Sequence, residues 1–236
     1  RRAERLEETR SRLQRDFPTQ RVVSFVGDVT QDDSVRTTIQ QSIHEMGKID
    51  IVVANAGFGV SGSVMGLSLE DYRRQFETNL FGVLRTVKET VPFLKLTQGQ
   101  IAIVGSVNGY ISLPGNSAYA MSKFSIRALC DSLYHELKPL GISVTHIAPG
   151  FVTSEIRRVN NRGQFREQAH DPIPLWLQMD SQTAAKKISY AIFKRRRERI
   201  LTGHGWWVVI LSRFFPGFVS WLIGVLGVSA RSEPKA

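Results

Sequence analysis

Residues 101–106 read Ile101-Ala102-Ile103-Val104-Gly105-Ser106, and this stretch decides the fold. An unbroken apolar run that ends in a small polar residue predicts a strand buried on both faces of a parallel sheet. A second run of this kind covers residues 49–54 and leads into Asn55-Ala56-Gly57. Because open α/β sheets bind ligands at the carboxyl ends of their strands, Ser106 and the Asn-Ala-Gly turn are candidate functional positions.

Helices and strands alternate outward from these two runs, which predicts an α/β domain with helices on both faces of a parallel sheet. This domain is expected to cover residues 1–202, followed by an apolar extension over residues 203–236. Pro92 is expected to kink or interrupt the helix in which it lies. The predicted helices cover residues 2–15, 34–46, 68–96, 117–137 and 181–196, and the predicted strands cover residues 22–26, 49–54, 100–106, 143–148 and a short segment near Ile200.

Tyr119-Ala120-Met121-Ser122-Lys123 places a phenol and an ammonium group one turn apart on the same face of a predicted helix. A nearby positive charge favours the phenolate, so we expect the pKa of Tyr119 to lie below its ordinary value of about 10. Tyr119 is therefore a candidate general acid or base. Because tyrosine and lysine also meet at this spacing on many solvated helix faces, the interpretation depends on the surrounding motifs.

Several motifs resemble, in the right order, those of the short-chain dehydrogenase/reductase family. The match to the family's catalytic tetrad comprises Asn79, Ser106, Tyr119 and Lys123. The resemblance extends over residues 1–202. It implies a Rossmann-like, doubly wound sheet and an enzyme that moves hydride between a nicotinamide cofactor and a carbonyl or secondary alcohol.

The resemblance also implies a role for each member of the tetrad. Tyr119 would exchange the proton with the substrate oxygen, and Ser106 would orient that oxygen. Lys123 would lower the pKa of Tyr119 and bind the nicotinamide ribose hydroxyls. Asn79, in a distorted helix, would hold a water that links Lys123 to solvent.

The same resemblance assigns contacts with the cofactor. Asn55-Ala56-Gly57 resembles the family's turn below the adenine ring, and Asp28-Val29 resembles the pair whose acidic residue contacts the adenine amino group. Pro149-Gly150-Phe151-Val152-Thr153 resembles the motif in which threonine holds the nicotinamide carboxamide. Arg1 and Arg2 fall where NADP-dependent members commonly carry an arginine for the 2′-phosphate, so we expect NADP in preference to NAD.

One departure from the family concerns the start of the sequence. Members begin with a strand and a turn of the form TGxxxGxG, which wraps the cofactor pyrophosphate at a helix N-terminus. This sequence opens instead at Arg1-Arg2-Ala3-Glu4, which resembles the helix after the family's second strand. We therefore interpret it as an N-terminally truncated form of a longer enzyme.

Charge and cysteine content limit the other classes of function. The net charge is +10, but the one dense basic run, residues 194–199, falls at the end of a predicted helix and no nucleic-acid motif is visible, so we expect no nucleic-acid partner. Cys130 is the only cysteine, which excludes an intramolecular disulfide and indicates a cytoplasmic protein. The five histidines lack metal-ligand spacing, so no metal is expected.

Two segments interrupt the alternation of helices and strands. Residues 154–180 mix charged, glycine, proline and aromatic residues, which predicts a lid over the substrate, with an ordinary surface insertion as the alternative. Residues 206–228 are strongly apolar but carry Arg213 and Pro216 near their middle. This pattern favours a helix or hairpin in a membrane interface, while a full span and packing on a partner subunit of a homodimer or homotetramer stay open.

The interfacial interpretation of residues 206–228 predicts an enzyme that is peripheral at a membrane and acts on a lipophilic ketone or alcohol. Two other functions also stay open. One is a non-catalytic nucleotide-binding sensor or scaffold, against which the complete tetrad argues. The other is a membrane-associated structural protein, which would leave the tetrad unexplained.

Overall fold

The structure is a computed structural model that describes residues 2–168, 171 and 173–226. Its four strands form one parallel sheet in the order β1-β2-β3-β4. The predicted parallel sheet is therefore confirmed. The strands are Ile51–Ala54 (β1), Gln100–Val104 (β2), Ser143–Ala148 (β3) and Glu198–Ile200 (β4).

The helices follow the predicted order, and the helix 117–137 begins and ends at the predicted residues. The predicted helix 68–96 consists of two α-helices joined by a π-helical turn, Glu77–Phe81. Pro92 lies inside the second of these, which continues to Thr97, so it does not end the helix. The helices are Ala3–Asp16 (α1), Asp32–Met46 (α2), Leu69–Phe76 (α3), Gly82–Thr97 (α4), Ser117–Leu137 (α5), Ser181–Phe193 (α6), Gly203–Phe214 (α7) and Pro216–Val225 (α8).

Helices cover both faces of the sheet, as predicted. Ile101 and Ile103 point to the face on which α4 and α5 lie, where they pack with Val87 and Ile126. Ile147 of β3 points to the opposite face and packs against α6. Successive strand residues alternate between faces, so both layers exclude water from the sheet. A fully buried isoleucine of this kind stabilises the fold by roughly 1.5–3 kcal/mol.

The strand predicted over residues 22–26 is wrong for the described structure, in which this segment belongs to no strand. A strand needs a hydrogen-bonding neighbour, and none of the four described strands pairs with it. One edge of the described sheet is β1, where Ile51 and Val53 are about half exposed. The apolar side chains of residues 22–26 are typical of a strand, but this segment lacks the paired neighbour in the described structure that a strand requires.

The two interrupting segments take different forms. The described part of residues 154–180 contains two 3-10 turns, Glu155–Arg158 and Leu175–Leu177, and no longer helix. The apolar stretch forms α7 and α8, whose axes are bent by 117°. Residues 227 and 228 of the predicted stretch lie outside the described residues.

Candidate active site

The π-helical turn places Asn79 inside the protein, 1% exposed. Its Oδ1 accepts a hydrogen bond from the Phe58 amide at 3.1 Å, and its Nδ2 donates to the Phe58 carbonyl at 3.1 Å. Nδ2 also donates to Ser122 Oγ at 3.1 Å. Asn79 therefore ties the loop after the Asn-Ala-Gly turn to α5. The predicted distortion of its helix is confirmed, and π-helical turns are frequent at functional sites.

Lys123 projects from α5 towards the end of β2. Its side chain is buried, and Nζ donates a hydrogen bond to the Val104 carbonyl at 2.9 Å. Burial lowers the pKa of Lys123 to about 8. A Cβ at position 57 would lie 3.9 Å from Nζ and 3.1 Å from Asn79 Oδ1, so Gly57 keeps the space between these two side chains open.

Tyr119 and Ser106 meet at the carboxyl end of β2. Ser106 is buried and accepts a hydrogen bond from the Asn108 amide at 3.1 Å, and its side chain lies beside the Tyr119 phenol. The Tyr119 ring centroid lies 5.7 Å from Lys123 Nζ. The structure thus brings together all four residues that sequence reasoning selected.

The expected lowering of the Tyr119 pKa is wrong in this structure. Burial raises the pKa of Tyr119, and this effect exceeds the opposing effects of the neighbouring Ser106 hydroxyl and the positive charge of Arg157. Lys123 directs its ammonium group at the Val104 carbonyl instead of the phenol oxygen. Spacing along a helix predicted the proximity of the two residues but not the degree of desolvation.

A cavity of about 210 Å³ opens at the end of β1, between the sheet and the start of α4. Sequence reasoning had selected three of its lining residues as contacts with an adenine ring. The mostly apolar lining fits a flat heterocycle, which is the part of a dinucleotide assigned to this place. The lining residues are Val29, Val53, Ala54, Asn55, Ala56, Gly82, Val83 and Thr86.

Asp28 adjoins this cavity through its neighbour Val29. Its Oδ1 accepts hydrogen bonds from the Thr30 amide at 2.9 Å and the Thr30 hydroxyl at 2.7 Å. The carboxylate is therefore held in one orientation. A carboxylate must be held in a fixed orientation if it is to accept a hydrogen bond from a ring amino group.

The Pro149-Gly150 turn packs against residues that sequence reasoning missed. A Cβ at Gly150 would lie 2.2 Å from Thr202 Oγ1 and 2.8 Å from His204 Nε2, so only glycine fits there. The His204 ring stacks on Phe151 with centroids 5.5 Å apart, and burial lowers the pKa of His204. Thr202 and His204 follow the last strand, but nothing in the sequence showed that they return to this turn.

Comparison with protein families identifies the family to which this chain belongs. The family model for short chain dehydrogenases matches residues 1–164. The chain belongs to the short chain dehydrogenase family. The resemblance drawn from the motifs is therefore confirmed.

Three proteins illustrate the similarity to this family. A 3-ketodihydrosphingosine reductase from Bacteroides thetaiotaomicron is 34% identical over 131 residues, which cover 55% of this chain and 49% of that protein. Retinol dehydrogenase 8 from Bos taurus is 37% identical over 129 residues, covering 54% and 41%. The matched segment therefore spans less than half of either relative. An archaeal alcohol dehydrogenase from Thermococcus sibiricus, complexed with 5-hydroxy-NADP, superposes with a TM-score of 0.73 at 25% identity, covering 85% of this chain and 82% of that chain.

Arg2, one of the two residues predicted to grip a 2′-phosphate, is not among the residues that line this cavity. Arg1 lies outside the described residues. Arg2 donates to Glu155 Oε2 at 3.1 Å, and Glu155 also accepts from Arg5. Arg2 is therefore held against the residues 154–180 segment in this structure, and its contact with a cofactor stays a prediction.

Thr153, the residue assigned to the nicotinamide carboxamide, is exposed and directly precedes residues 154–180. Its amide donates to the Met179 carbonyl at 2.9 Å. Its hydroxyl forms no hydrogen bond with the part of the chain that the structure describes. The side chain is thus accessible a few residues after the end of β3, and its contact with the carboxamide stays a prediction.

Proposed function

We propose that the whole protein is an NAD(P)-dependent oxidoreductase that interconverts a carbonyl compound and a secondary alcohol. The observation that supports this proposal is the convergence of Ser106, Tyr119, Lys123 and Asn79 at the carboxyl ends of β1 and β2. Three of these are buried polar residues, each held by hydrogen bonds. Perturbed ionisable groups gathered in this way are typical of functional sites.

The side chains supply position and protons, and the nicotinamide cofactor supplies or accepts the hydride when bound. Tyr119 donates its hydroxyl proton to a carbonyl oxygen in reduction and accepts a proton from an alcohol in oxidation. Ser106, which lies beside Tyr119, donates to the same substrate oxygen. Lys123 brings a cation next to Tyr119 and offers its ammonium protons to the ribose hydroxyls.

The cofactor would be held at three places along the strand ends. Val29, Asn55 and Ala56 line the cavity assigned to adenine, with Asp28 beside it. Gly57 leaves room over Asn79 and Lys123 for the sugar. Pro149, Gly150 and Thr153 form the turn assigned to the carboxamide.

We favour NADP over NAD, because Arg1 and Arg2 fall where a 2′-phosphate would require a planar guanidinium. The similar alcohol dehydrogenase complexed with 5-hydroxy-NADP supports a dinucleotide of this type. Isothermal titration of the whole protein with each cofactor tests the preference. Tighter binding of NAD would overturn it.

The substrate is proposed to be lipophilic and to arrive from a membrane surface. No single described helix is long and apolar enough to span a membrane, whereas the bent pair α7–α8 passes that test jointly by length and composition. Trp207, Phe214 and Trp221 of this pair are each about 60% exposed. Two relatives are named for retinol and 3-ketodihydrosphingosine, which are both apolar-chain molecules.

A substrate panel tests the proposed reaction. The whole protein is incubated with NADP or NADPH and with secondary alcohols or ketones of increasing chain length, and absorbance of the reduced nicotinamide is followed. We expect turnover that rises with chain length. A protein that binds either cofactor but converts no member of the panel would be a nucleotide-binding scaffold instead.

A further inference from the structure

The first turn of α7 packs on the Pro149-Gly150 turn, which follows β3. The Leu201 amide donates to the Ala148 carbonyl at 3.1 Å, so the chain after β4 runs beside the end of β3. Thr202 is buried, and its hydroxyl oxygen caps α7 by accepting a hydrogen bond from the Gly205 amide at 3.2 Å. α7 therefore begins at the carboxyl ends of two neighbouring strands, β3 and β4.

His204, in this first turn of α7, contacts the Pro149-Gly150 turn in two ways. Its ring stacks on the Phe151 ring, with centroids 5.5 Å and planes 27° apart. Its Nε2 lies 3.5 Å from the Phe151 amide nitrogen and 3.2 Å from Thr202 Oγ1. Because a backbone amide can only donate, Nε2 is the acceptor, and the ring is neutral with its proton on Nδ1. Burial lowers the pKa of His204, which favours the same neutral form.

Gly150 lies directly against these two side chains. A Cβ at this position would lie 2.2 Å from Thr202 Oγ1 and 2.8 Å from His204 Nε2. Contacts this close leave the backbone of the turn no room to move towards α7. The first turn of α7 therefore sets the position of the Pro149-Gly150 turn from one side.

The turn that follows Ser106 holds the Pro149-Gly150 turn from the other side. The Val107 amide donates to the Pro149 carbonyl at 2.9 Å. A Cβ at Gly205 would lie 2.8 Å from Val107 Cγ2, so α7 also approaches this second turn closely. The start of α7 thus contacts both backbone segments near which the nicotinamide and the substrate oxygen are proposed to bind.

We propose that His204 is a positioning residue for the nicotinamide half of the cofactor, and that its Nε2 anchors the Pro149-Gly150 turn through the Phe151 amide. The inference rests on the proposed function, in which Pro149, Gly150 and Thr153 hold the carboxamide. His204 acts through this turn. The cavity assigned to adenine lies at the end of β1, at the opposite edge of the described sheet from β4, so the adenine half should not depend on His204.

The test compares ligands that differ only in the nicotinamide. Titration calorimetry on the whole protein measures the binding of NADPH against 2′-phospho-ADP-ribose, and of NADH against ADP-ribose. We expect His204→Ala to weaken the binding of the preferred dinucleotide about tenfold, as for the loss of a buried hydrogen bond, and to leave the binding of its nicotinamide-free partner within about twofold. A residue that only stabilised the fold would change the binding of both ligands together.

Two further variants separate the acceptor nitrogen from the ring stack. His204→Gln offers an amide oxygen to the Phe151 amide and should restore most of the affinity for the dinucleotide. His204→Phe keeps a ring that can stack on Phe151 but has no acceptor, so its binding should stay weak. His135→Ala is the matched control, because the His135 ring also contacts an aromatic ring, that of Tyr134 at 5.1 Å, but lies in the last turn of α5. It should bind all four ligands as the wild type does.

The inference and the proposed function fail in different ways. Equal weakening of both members of a pair by His204→Ala, or wild-type binding of both, would overturn the inference. Restoration by His204→Phe and not by His204→Gln would also overturn it, because the stack and not Nε2 would then hold the turn. A wild-type protein that binds none of the four ligands would overturn the proposed function itself.

Discussion

The carboxyl ends of β1 and β2 and the helix pair α7–α8 depart from ordinary packing in opposite ways. At the strand ends, Asn79, Ser106 and Lys123 are polar and at most 8% exposed. In the helix pair, Trp207 and Trp221 are apolar and about 60% exposed. Buried polar groups reduce stability unless they are paired, and large exposed apolar surfaces are rare without a partner. The first region is the one for which we propose catalysis, and the second is the exposed apolar surface for which we propose contact with a membrane.

The largest expected effect tests the strand ends as a catalytic region. Tyr119→Phe removes one hydroxyl, so kcat should fall by at least the 10²–10⁴-fold typical of a general acid or base. The dissociation constant for the cofactor and the binding to vesicles should stay unchanged. Steady-state kinetics and titration calorimetry measure these quantities, with Tyr190→Phe, an exposed tyrosine of α6, as control. Normal turnover by Tyr119→Phe would show that the strand ends are not the catalytic region, and the proposed difference between the two regions would be wrong.

The next prediction tests whether the buried polar groups at the strand ends lower the free energy of unfolding. The pKa of Lys123 is lowered by burial from 10.5 to about 8 in the folded chain. The unfolded chain therefore binds more protons between these values, so the free energy of unfolding should rise as pH rises through this interval. The charged form lowers stability at neutral pH by roughly 3 kcal/mol. Lys123→Met should abolish this rise together with activity.

Urea unfolding at a series of pH values measures this dependence. Lys187→Met is the matched control, because Lys187 also donates to a backbone carbonyl, that of Leu201, at 3.0 Å. It should keep the wild-type slope. If the free energy of unfolding depends on pH in the same way for the wild type and Lys123→Met, the charged form of Lys123 does not destabilise the folded protein.

Elements with a strong local pattern could be predicted from the sequence. The helix Ser117–Leu137 and the strand Ser143–Ala148 have the predicted bounds, because apolar periodicity over many residues is a local property. Residues 22–26 have a comparable pattern, but pairing with another strand is not local. The sequence therefore decided which segments are apolar, and the sheet decided which of them are strands.

In the candidate site too, local features could be predicted from the sequence and features that depend on distant residues could not. Tyr119, Lys123 and Ser106 were found from spacing and from their place after strands. The raised pKa of Tyr119 depends on burial by loops far away in sequence, so spacing led to the wrong direction. The pairing of Arg157, and not Arg158, with Asp171 could not be predicted either, because this contact joins residues 14 positions apart and is visible only in the folded segment.

The smallest expected effect tests the helix pair as a membrane surface. An interfacial tryptophan contributes mainly through its own buried area, so Trp207→Ser and Trp221→Ser should each weaken binding to anionic vesicles about tenfold and leave kcat on a short-chain alcohol unchanged. Trp176→Ser, within residues 154–180, is the control, since Trp176 is more exposed than either but lies outside the helix pair. Vesicle flotation at low and high salt measures the binding. A different result would be a wild-type protein that is a dimer and does not bind vesicles, with variants that are monomers. In that case the exposed face of α7–α8 is covered by a second subunit. The lipophilic-substrate proposal then loses its membrane argument.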